Sequence, residues 1–426
     1  MNLTIPSSVL RVLWHLERAG YPAYIVGGSL RDALMGKVPH DWDVTTAALP
    51  DQMLEIFGTA GLTTIPTGLK HGTVTVLVDH APVECTTYRI DGDYTDARHP
   101  DHVEFTDRIS DDLCRRDFTV NAMACRLPTL AAQPLPPDKD LTVREDEIEI
   151  LDLYGGRDDL EGRIIRCVGE PEKRFDEDAL RILRAVRFCV QLDFAVEPRT
   201  EAALAAKRAG LGRISVERIA SELTRTLAND PPSRGLALLR KAGLWDYVLP
   251  ESKPSENPYF TSENDLLEAA DELPNDALLR LSLLLSSGTA DEARSACRRL
   301  RLSTKQTEAV TCCVQALSDE IPVIGCDVRR YLARYGEHAD ATLTLRAVTH
   351  DPAAVSTAIK LAEAIRLRGD CLCMSSLAVD GRVLMDELGL RGAAVGATLH
   401  RLLDAVLEDP GLNTRASLLA LAKETT

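Results

Sequence analysis

Two carboxylates, Asp41 and Asp43, stand two residues apart, fourteen positions after the double glycine Gly27-Gly28. In an extended segment residues i and i+2 point the same way, so this pair shares a face and Trp42 packs behind it. The preceding stretch, Tyr24-Ile25-Val26-Gly27-Gly28-Ser29-Leu30-Arg31-Asp32, predicts a strand, a glycine turn and a helix start. The first turn of a helix offers unpaired N–H groups and a partial positive charge to a phosphate. Hard oxygen ligands beside a phosphate cradle suit Mg²⁺-dependent phosphoryl or nucleotidyl transfer. Either half alone is commonplace, a turn or a bit of surface polarity; together they make a candidate site.

Glu84 follows on a second predicted strand, Val83 to Tyr88, which comes after the predicted strand Thr73 to Val78. It is the expected third acid. Three carboxylates around two metal ions would let one ion activate a 3′-hydroxyl and the other hold a triphosphate. In the block Arg115-Arg116-Asp117-Phe118-Thr119-Val120-Asn121, the paired arginines can fork onto phosphate oxygens. Asp117 can accept from a ribose 2′-hydroxyl, which separates ribonucleotides from deoxyribonucleotides. By itself the block would be a helix start with a capping Asp.

In Arg174 to Phe188 the spacing predicts a helix on which Asp178, Arg181, Arg184 and Arg187 recur every three residues. An ordinary salt-bridged amphipathic face fits that pattern. A sharper reading also fits. An Asp that accepts beside an Arg that donates matches an exocyclic amine next to a ring nitrogen, the edge shared by cytosine and adenine. Guanine and uracil put a carbonyl where the amine should be. A buried pairing left unmade costs roughly 1–3 kcal/mol per group, so such a pair would select C and A without a nucleic-acid template.

These residues need a mixed sheet to hold them, and the chain has the material. Its 426 residues, 45% apolar, are ample for several domains. No run of eighteen apolar residues predicts a membrane span. Ser7 to Gly20 reads as a first helix with a serine cap and a closing glycine, rather than a signal peptide. The eleven cysteines are scattered without a Cys-x-x-Cys pair, which suits reduced thiols in the cytoplasm. Leu127 to Glu149, with Gln133-Pro134-Leu135-Pro136-Pro137, predicts an exposed loop. From Glu170 onward the pattern is helical. The net charge of −16 excludes a generic basic nucleic-acid binder but not a local basic surface. The arginine clusters at Arg294 to Lys305 and Arg329 to Arg334 each read first as solvated helix faces.

Over residues 21–125 and 151–225, about half its length, the chain resembles the class II bacterial CCA tRNA nucleotidyltransferases, members of the DNA polymerase β-like superfamily. Gly27-Gly28-x-x-Arg31-Asp32 with Asp41-x-Asp43 is similar to the family's catalytic motif, and Arg115-Arg116-Asp117 to its ribose-selecting motif. Glu177-Asp178-x-x-Arg181 resembles the amino-acid template for the incoming base, Arg184 and Arg187 fall where further nucleotide contacts are expected, and Arg218-Ile-x-x-Glu222-Leu resembles the motif that braces the neck helices. The proline-rich segment is longer than the family pattern, and Asp152-Leu153-Tyr154-Gly155-Gly156 departs from its usual Asp-Pro-Phe-Gly-Gly.

The resemblance implies an α+β fold: a polymerase β-like nucleotidyltransferase head with a mixed sheet over residues 1–160, a helical neck over 161–228, a helical body over 229–335 and a helical tail over 336–426. It implies addition of C, C and A to the 3′ end of tRNA from CTP and ATP, with Mg²⁺ on Asp41 and Asp43 and with Glu84 assisting. Gly28, Arg31 and Arg116 would hold triphosphate, Asp117 the ribose, and Asp178 and Arg181 the base, with Arg184 and Arg187 beside them. The tail would bind the acceptor arm, and the protein would be a monomer or homodimer. A CC-adding enzyme, a poly(A) polymerase and a silent RNA-binding protein on the same fold are the alternatives. The charged segment Asp91 to Pro100 favours the CCA form over the CC-adding one, and His350-Asp351 before Pro352 reads as a turn rather than part of a phosphohydrolase metal site.

Overall fold

β-branched runs make the strands and glycines the corners. The computed structural model describes residues 2–39, 41–92 and 103–424. The chain divides into two units, Met1–Thr226 with Arg234–Val248, and Leu227–Ser233 with Leu249–Thr426.

The first unit carries strands β1 (Asn2–Ile5), β2 (Ala23–Val26), β3 (Asp43–Thr46), β4 (Thr63–Gly68), β5 (Thr73–Val78), β6 (Ala81–Thr87), β7 (Arg89–Asp91), β8 (Val103–Phe105), β9 (Met123–Arg126), β10 (Leu141–Arg144) and β11 (Glu149–Asp152). Seven of them form one sheet in the order β11-β9-β2-β3-β6-β5-β4. β3 and β6 run parallel, and the other pairings are antiparallel, so the sheet is mixed as expected. β5 and β6 alternate buried and outward residues, and the two-residue turn between them puts Asp79 and His80 at positive φ. Helix α1 (Ser7–Arg18) buries Val9, Leu10, Val12, Leu13 and Leu16 in the core that also takes in Ile25, Val44, Val74 and Val76.

Two local expectations change. No serine side chain caps α1: Ser7 is already helical, and its N–H is taken by the Asp140 carboxylate. Gly20 does close the helix, at φ +90°. The segment expected to be a loop is partly a strand, since β10 pairs with β1 from Asn2↔Arg144 to Ile5↔Leu141. It is also pinned to α1, because the Trp14 indole N–H donates to the Gln133 carbonyl and Arg11 pairs with Asp138. Alternation over four residues, with Val143 alone buried, is too short to stand out in a proline-rich sequence.

The helices of the first unit include α2 (Gly27–Leu34), α3 (Pro50–Thr59), α4 (Ile109–Cys114), α5 (Gly156–Glu161), α6 (Pro171–Glu177), α7 (Leu180–Gln191), α8 (Pro198–Lys207) and nearly all of α9 (Val216–Leu227). The second unit is helical throughout its described residues, with one core around Tyr331, Leu332 and Ile365 and another around Leu384, Leu402 and Leu418. His350 and Asp351 sit at a helix–helix junction there. The His350 ring bonds to the Leu317 carbonyl and to Thr349, and Asp351 caps the next helix through Ala353 N–H.

Candidate active site

The apolar Tyr24-Ile25-Val26 strand ends in Gly27, which enters α2 at φ +73°. A side chain there would be strained, and its Cβ would lie 3.3 Å from Arg116 Nη1 and 3.4 Å from Asp43 Oδ2. Gly27 thus lets the backbone approach both a cation and a carboxylate. Ser29 Oγ donates to the Val26 carbonyl at 2.9 Å and so helps tighten the turn.

Next to β2, the register pairs Val26 with Asp43 and Asp43 with Glu84. Asp41 and Glu84 are exposed, Asp43 is half-buried, and Trp42 lies in the core behind, as the alternation predicted. Burial pushes the Asp43 carboxyl up; Arg116 opposes the rise and Asp41 adds to it. Glu84 is raised by burial and by the charges of Asp43 and Asp41. Three mutually repelling oxygen donors are a set that a divalent cation would relieve. Among the described residues no group of three or more acidic, thiol or imidazole side chains closes a metal cage by itself. The three-acid arrangement expected around two ions is therefore not preformed. Two carboxylates with phosphate and water oxygens are a usual Mg²⁺ shell, so the donor set fits.

A cavity of about 470 Å³ opens beside Asp43. At its first end lie Gly27, Gly28, Arg31, Asp43 and Arg116; Asp41 and Glu84 are outside its wall. Arg31 is held by Asp32 at 2.7 Å and by Asn121 Oδ1 at 2.7 Å. Arg115 and Arg116 both lean on Asp112, which is fully buried and held low against the pull of burial by these two guanidiniums. Arg116 Nε is buried without a partner, one donor short of satisfaction.

Asp117, Asp178, Arg181, Arg184, Arg187 and Arg218 line the other end. The helix expected from Arg174 to Phe188 is broken: α6 ends at Glu177, and Asp178 is extended, at φ −139° and ψ 103°. Asp178 therefore does not share a stripe with the three arginines. Its Oδ1 accepts from Leu180 N–H at the start of α7, and its Oδ2 accepts from Arg218 Nη2 at 2.8 Å. Arg181 is held by Glu177 at 2.6 Å and donates to the carbonyls of Arg174 and Arg115. The two residues expected to read a base wall the same cavity without pairing with each other.

Asp117 is placed differently from the expectation as well. Its Oδ1 accepts from Phe118 N–H and Asn121 Nδ2, and its Oδ2 accepts from Arg184 Nε at 2.7 Å and Nη2 at 2.6 Å. All four acceptor positions of the carboxylate are taken, leaving none for a ribose hydroxyl. Burial acts to raise this carboxyl, but the Arg184 ion pair, with Arg181 and Asn121, holds it at about 2. Arg187 is buried and paired with Glu222 at 2.7 Å. Arg218 and Glu222, both on α9, thus brace Asp178 and α7.

Asn121, Asp112 and Phe188 were not singled out from the sequence as site residues. The guanidinium carbons of Arg31, Arg184 and Arg187 stand 5.3, 5.3 and 4.1 Å from the Phe188 ring centre. Only Asp112 leaves a sequence trace, three and four residues before Arg115 and Arg116.

Residues 23–166 match the family described as the poly(A) polymerase head domain, and residues 193–255 match a probable RNA- and SrmB-binding site of polymerase A. The CCA-adding enzyme of Lactobacillus helveticus is 35% identical over 406 residues, 93% of this chain and 91% of that one. This chain belongs to the CCA-adding enzyme family. The CCA-adding enzyme of Levilactobacillus brevis is 43% identical over 236 residues, so that match covers 55% of this chain and spans about half, 54%, of the relative. The crystal structure of the Bacillus stearothermophilus CCA-adding enzyme in complex with CTP superposes with a TM-score of 0.76 at 31% identity, covering 98% of this chain and 96% of that one. The family match and this superposition bear out the α+β expectation of a sheet-bearing head followed by helices. No helix among the described residues is long and apolar enough to cross a membrane.

Proposed function

We propose that this chain adds C, C and A to the 3′ end of tRNA, using CTP and ATP and releasing pyrophosphate, without a nucleic-acid template. One observation carries the reading: a single cavity joins a glycine turn, a half-buried carboxylate and two arginines at one end to an Asp and Arg cluster at the other. That set of groups has the polarity a nucleoside triphosphate asks for, cations for its phosphates and an Asp with an Arg for its base. Kinship with CCA-adding enzymes along nearly the whole chain supports it over a poly(A) polymerase.

In this reading Gly27 and Gly28 admit the triphosphate, Arg31 and Arg116 grip its oxygens, and the unpartnered Arg116 Nε gains an acceptor. Asp41 and Asp43 would hold Mg²⁺, with Glu84 assisting; when bound, the ion lowers the pKa of the attacking 3′-hydroxyl and neutralises the leaving pyrophosphate. Asp178 accepts from the base amine, and Arg181, oriented by Glu177, donates to the ring nitrogen. Asp117 acts on the ribose through Arg184, whose guanidinium it fixes, and Arg187 packs beneath. The chain would work in the cytoplasm as a catalytic head over 1–160, a base-reading neck over 161–228, a body over 229–335 and a tail over 336–426 that grips the acceptor arm. The segment expected to switch C to A addition lies, from residue 93 to 100, outside the described residues.

The test is to incubate the protein with Mg²⁺, CTP, ATP and a tRNA transcript lacking CCA, and to size the product at single-nucleotide resolution. A stop at three added nucleotides supports CCA addition. A stop at two makes it a CC-adding enzyme, a long ladder with ATP alone a poly(A) polymerase, and no extension a silent RNA-binding protein.

A further inference from the structure

Asn121 touches both ends of the cavity and has been given no task. Its side-chain Oδ1 accepts from Arg31 Nη1 at 2.7 Å, and its Nδ2 donates to Asp117 Oδ1 at 3.2 Å. The residue is 6% exposed and closes the turn Thr119–Asn121, where its N–H is held by the Phe118 carbonyl at 2.9 Å. The amide is thus fixed with its acceptor toward the arginine of the phosphate end. Its donor faces the carboxylate that holds Arg184 at the base end. An amide is the side chain of this size that offers both. A carboxylate would face Asp117 with like charge, and an apolar group would leave a buried N–H and a buried carboxylate oxygen short of a partner.

We propose that Asn121 is a positioning residue that couples occupation of the phosphate end to selection at the base end. The inference rests on the nucleotide reading of the cavity. Phosphate oxygens compete with Asn121 Oδ1 for Arg31 Nη1. Once Arg31 turns to the phosphate, the amide is left with its Asp117 contact alone, and Asp117 with Arg184, which shares the cavity wall with the base-reading Asp178 and feels its charge, settles into a second arrangement. Both arginines lie over Phe188, so a shift of one changes the room left for the other. A bound triphosphate therefore sharpens the choice of base, whereas a monophosphate, which does not reach Arg31, does not.

The experiment measures equilibrium binding of CTP, UTP, CMP and UMP by calorimetry with Mg²⁺ present, on the full chain and on Asn121→Ala and Asn121→Asp. In the unsubstituted protein the preference for C over U should be about tenfold larger with triphosphates than with monophosphates, the scale of one buried hydrogen bond. Asn121→Ala should bring the two preferences to the same value. Asn121→Asp keeps an oxygen on Arg31 but sets a like charge against Asp117 in place of the donor. It should lose the triphosphate-dependent part of the preference as well, whatever the change in overall affinity for CTP. If alanine fails to fold, the isosteric aspartate variant carries the test, with thermal melting as the check. A purely structural Asn121 would weaken C and U nucleotides alike and leave the difference in place, which overturns the proposal. Equal preferences for tri- and monophosphates in the unsubstituted protein overturn it too. Failure of the unsubstituted protein to bind any of the four sinks the nucleotide reading itself, a different and recognisable result.

Discussion

Asp43 is the carboxylate that both lines the cavity and faces Glu84, so its removal tests the transfer chemistry most directly. Asp43→Ala should lower CCA addition by about 10³-fold or more with the melting temperature little changed, since a half-buried charge repelled by its neighbours does not hold the fold together. Retained activity would remove the metal assignment. Asp178→Ala should instead relax the choice of base: misincorporation of U and G in the extension assay should rise about tenfold or more, while the Mg²⁺ dependence stays put. If selection survives unchanged, the base is read elsewhere. Asp117 makes a prediction about pH. Its folded value, about 2, lies below its ordinary 3.8, so its stabilisation is complete above about pH 4 and is lost as pH falls toward 2. Melting temperature should therefore fall more steeply over that window in the unsubstituted protein than in Asp117→Asn; parallel curves would mean that the Asp117–Arg184 pair adds nothing. The acids and arginines of the site were legible in the sequence because i, i+2 spacing and glycine chemistry are local. Asn121 was not, because its partner Arg31 lies 90 residues away and only the sheet brings them together.

At the scale of elements, the gap between α6 and α7 matters most. The three-residue spacing of Asp178, Arg181, Arg184 and Arg187 starts inside it, so the sequence predicts one helix where the structure has two. The break comes from the Asp178 side chain capping α7 and from its ion pair with Arg218, forty residues on; the second of these no local pattern reports. Strands β5 and β6, the second of which carries Glu84, were legible because they alternate over six and seven residues, whereas β10 was hidden by its brevity. α9 holds α7 through Arg187 and Glu222, 8% and 6% exposed. Glu222→Ala leaves a buried guanidinium unpaired and should cost about 3–5 kcal/mol, read by chemical denaturation. Replacing both residues, as Arg187→Met with Glu222→Leu, should recover most of that loss while nucleotide selection stays impaired. Recovery of selection along with stability would mean that Arg187 has only a packing role.

For the whole molecule the difficulty that the proposed function raises is charge, since a net −16 would have to accommodate an RNA. The arginine clusters of the helical unit, conspicuous in the sequence, are largely engaged by neighbouring acids: Arg294 with Asp291 at 2.6 Å, Arg299 with Glu251 at 2.7 Å, Arg330 with Glu408 at 2.6 Å and Arg334 with Asp319 at 2.9 Å. Three of those four pairs are distant in sequence, which is why clustering alone could not tell a binding surface from a solvated one. Arg329 is buried and donates to the Leu407 and Glu408 carbonyls, so it serves packing rather than any partner. An exposed pair contributes little to stability, about 0–1 kcal/mol, so a phosphate can replace the carboxylate at small cost. Each replacement gains only the difference between two screened attractions. Affinity for tRNA should then depend on a handful of exchanged contacts and be strongly salt-sensitive, falling on the order of 10²-fold between about 50 and 200 mM salt if about four phosphates are engaged. Arg294→Gln and Arg334→Gln should each weaken tRNA binding without changing the dissociation constant for free CTP, because neither residue lines the nucleotide cavity. Filter binding across a salt series checks both statements. A flat salt dependence would mean that the tRNA is held by shape and hydrogen bonds to its bases, and that the acidic surface is no obstacle because the backbone never meets it.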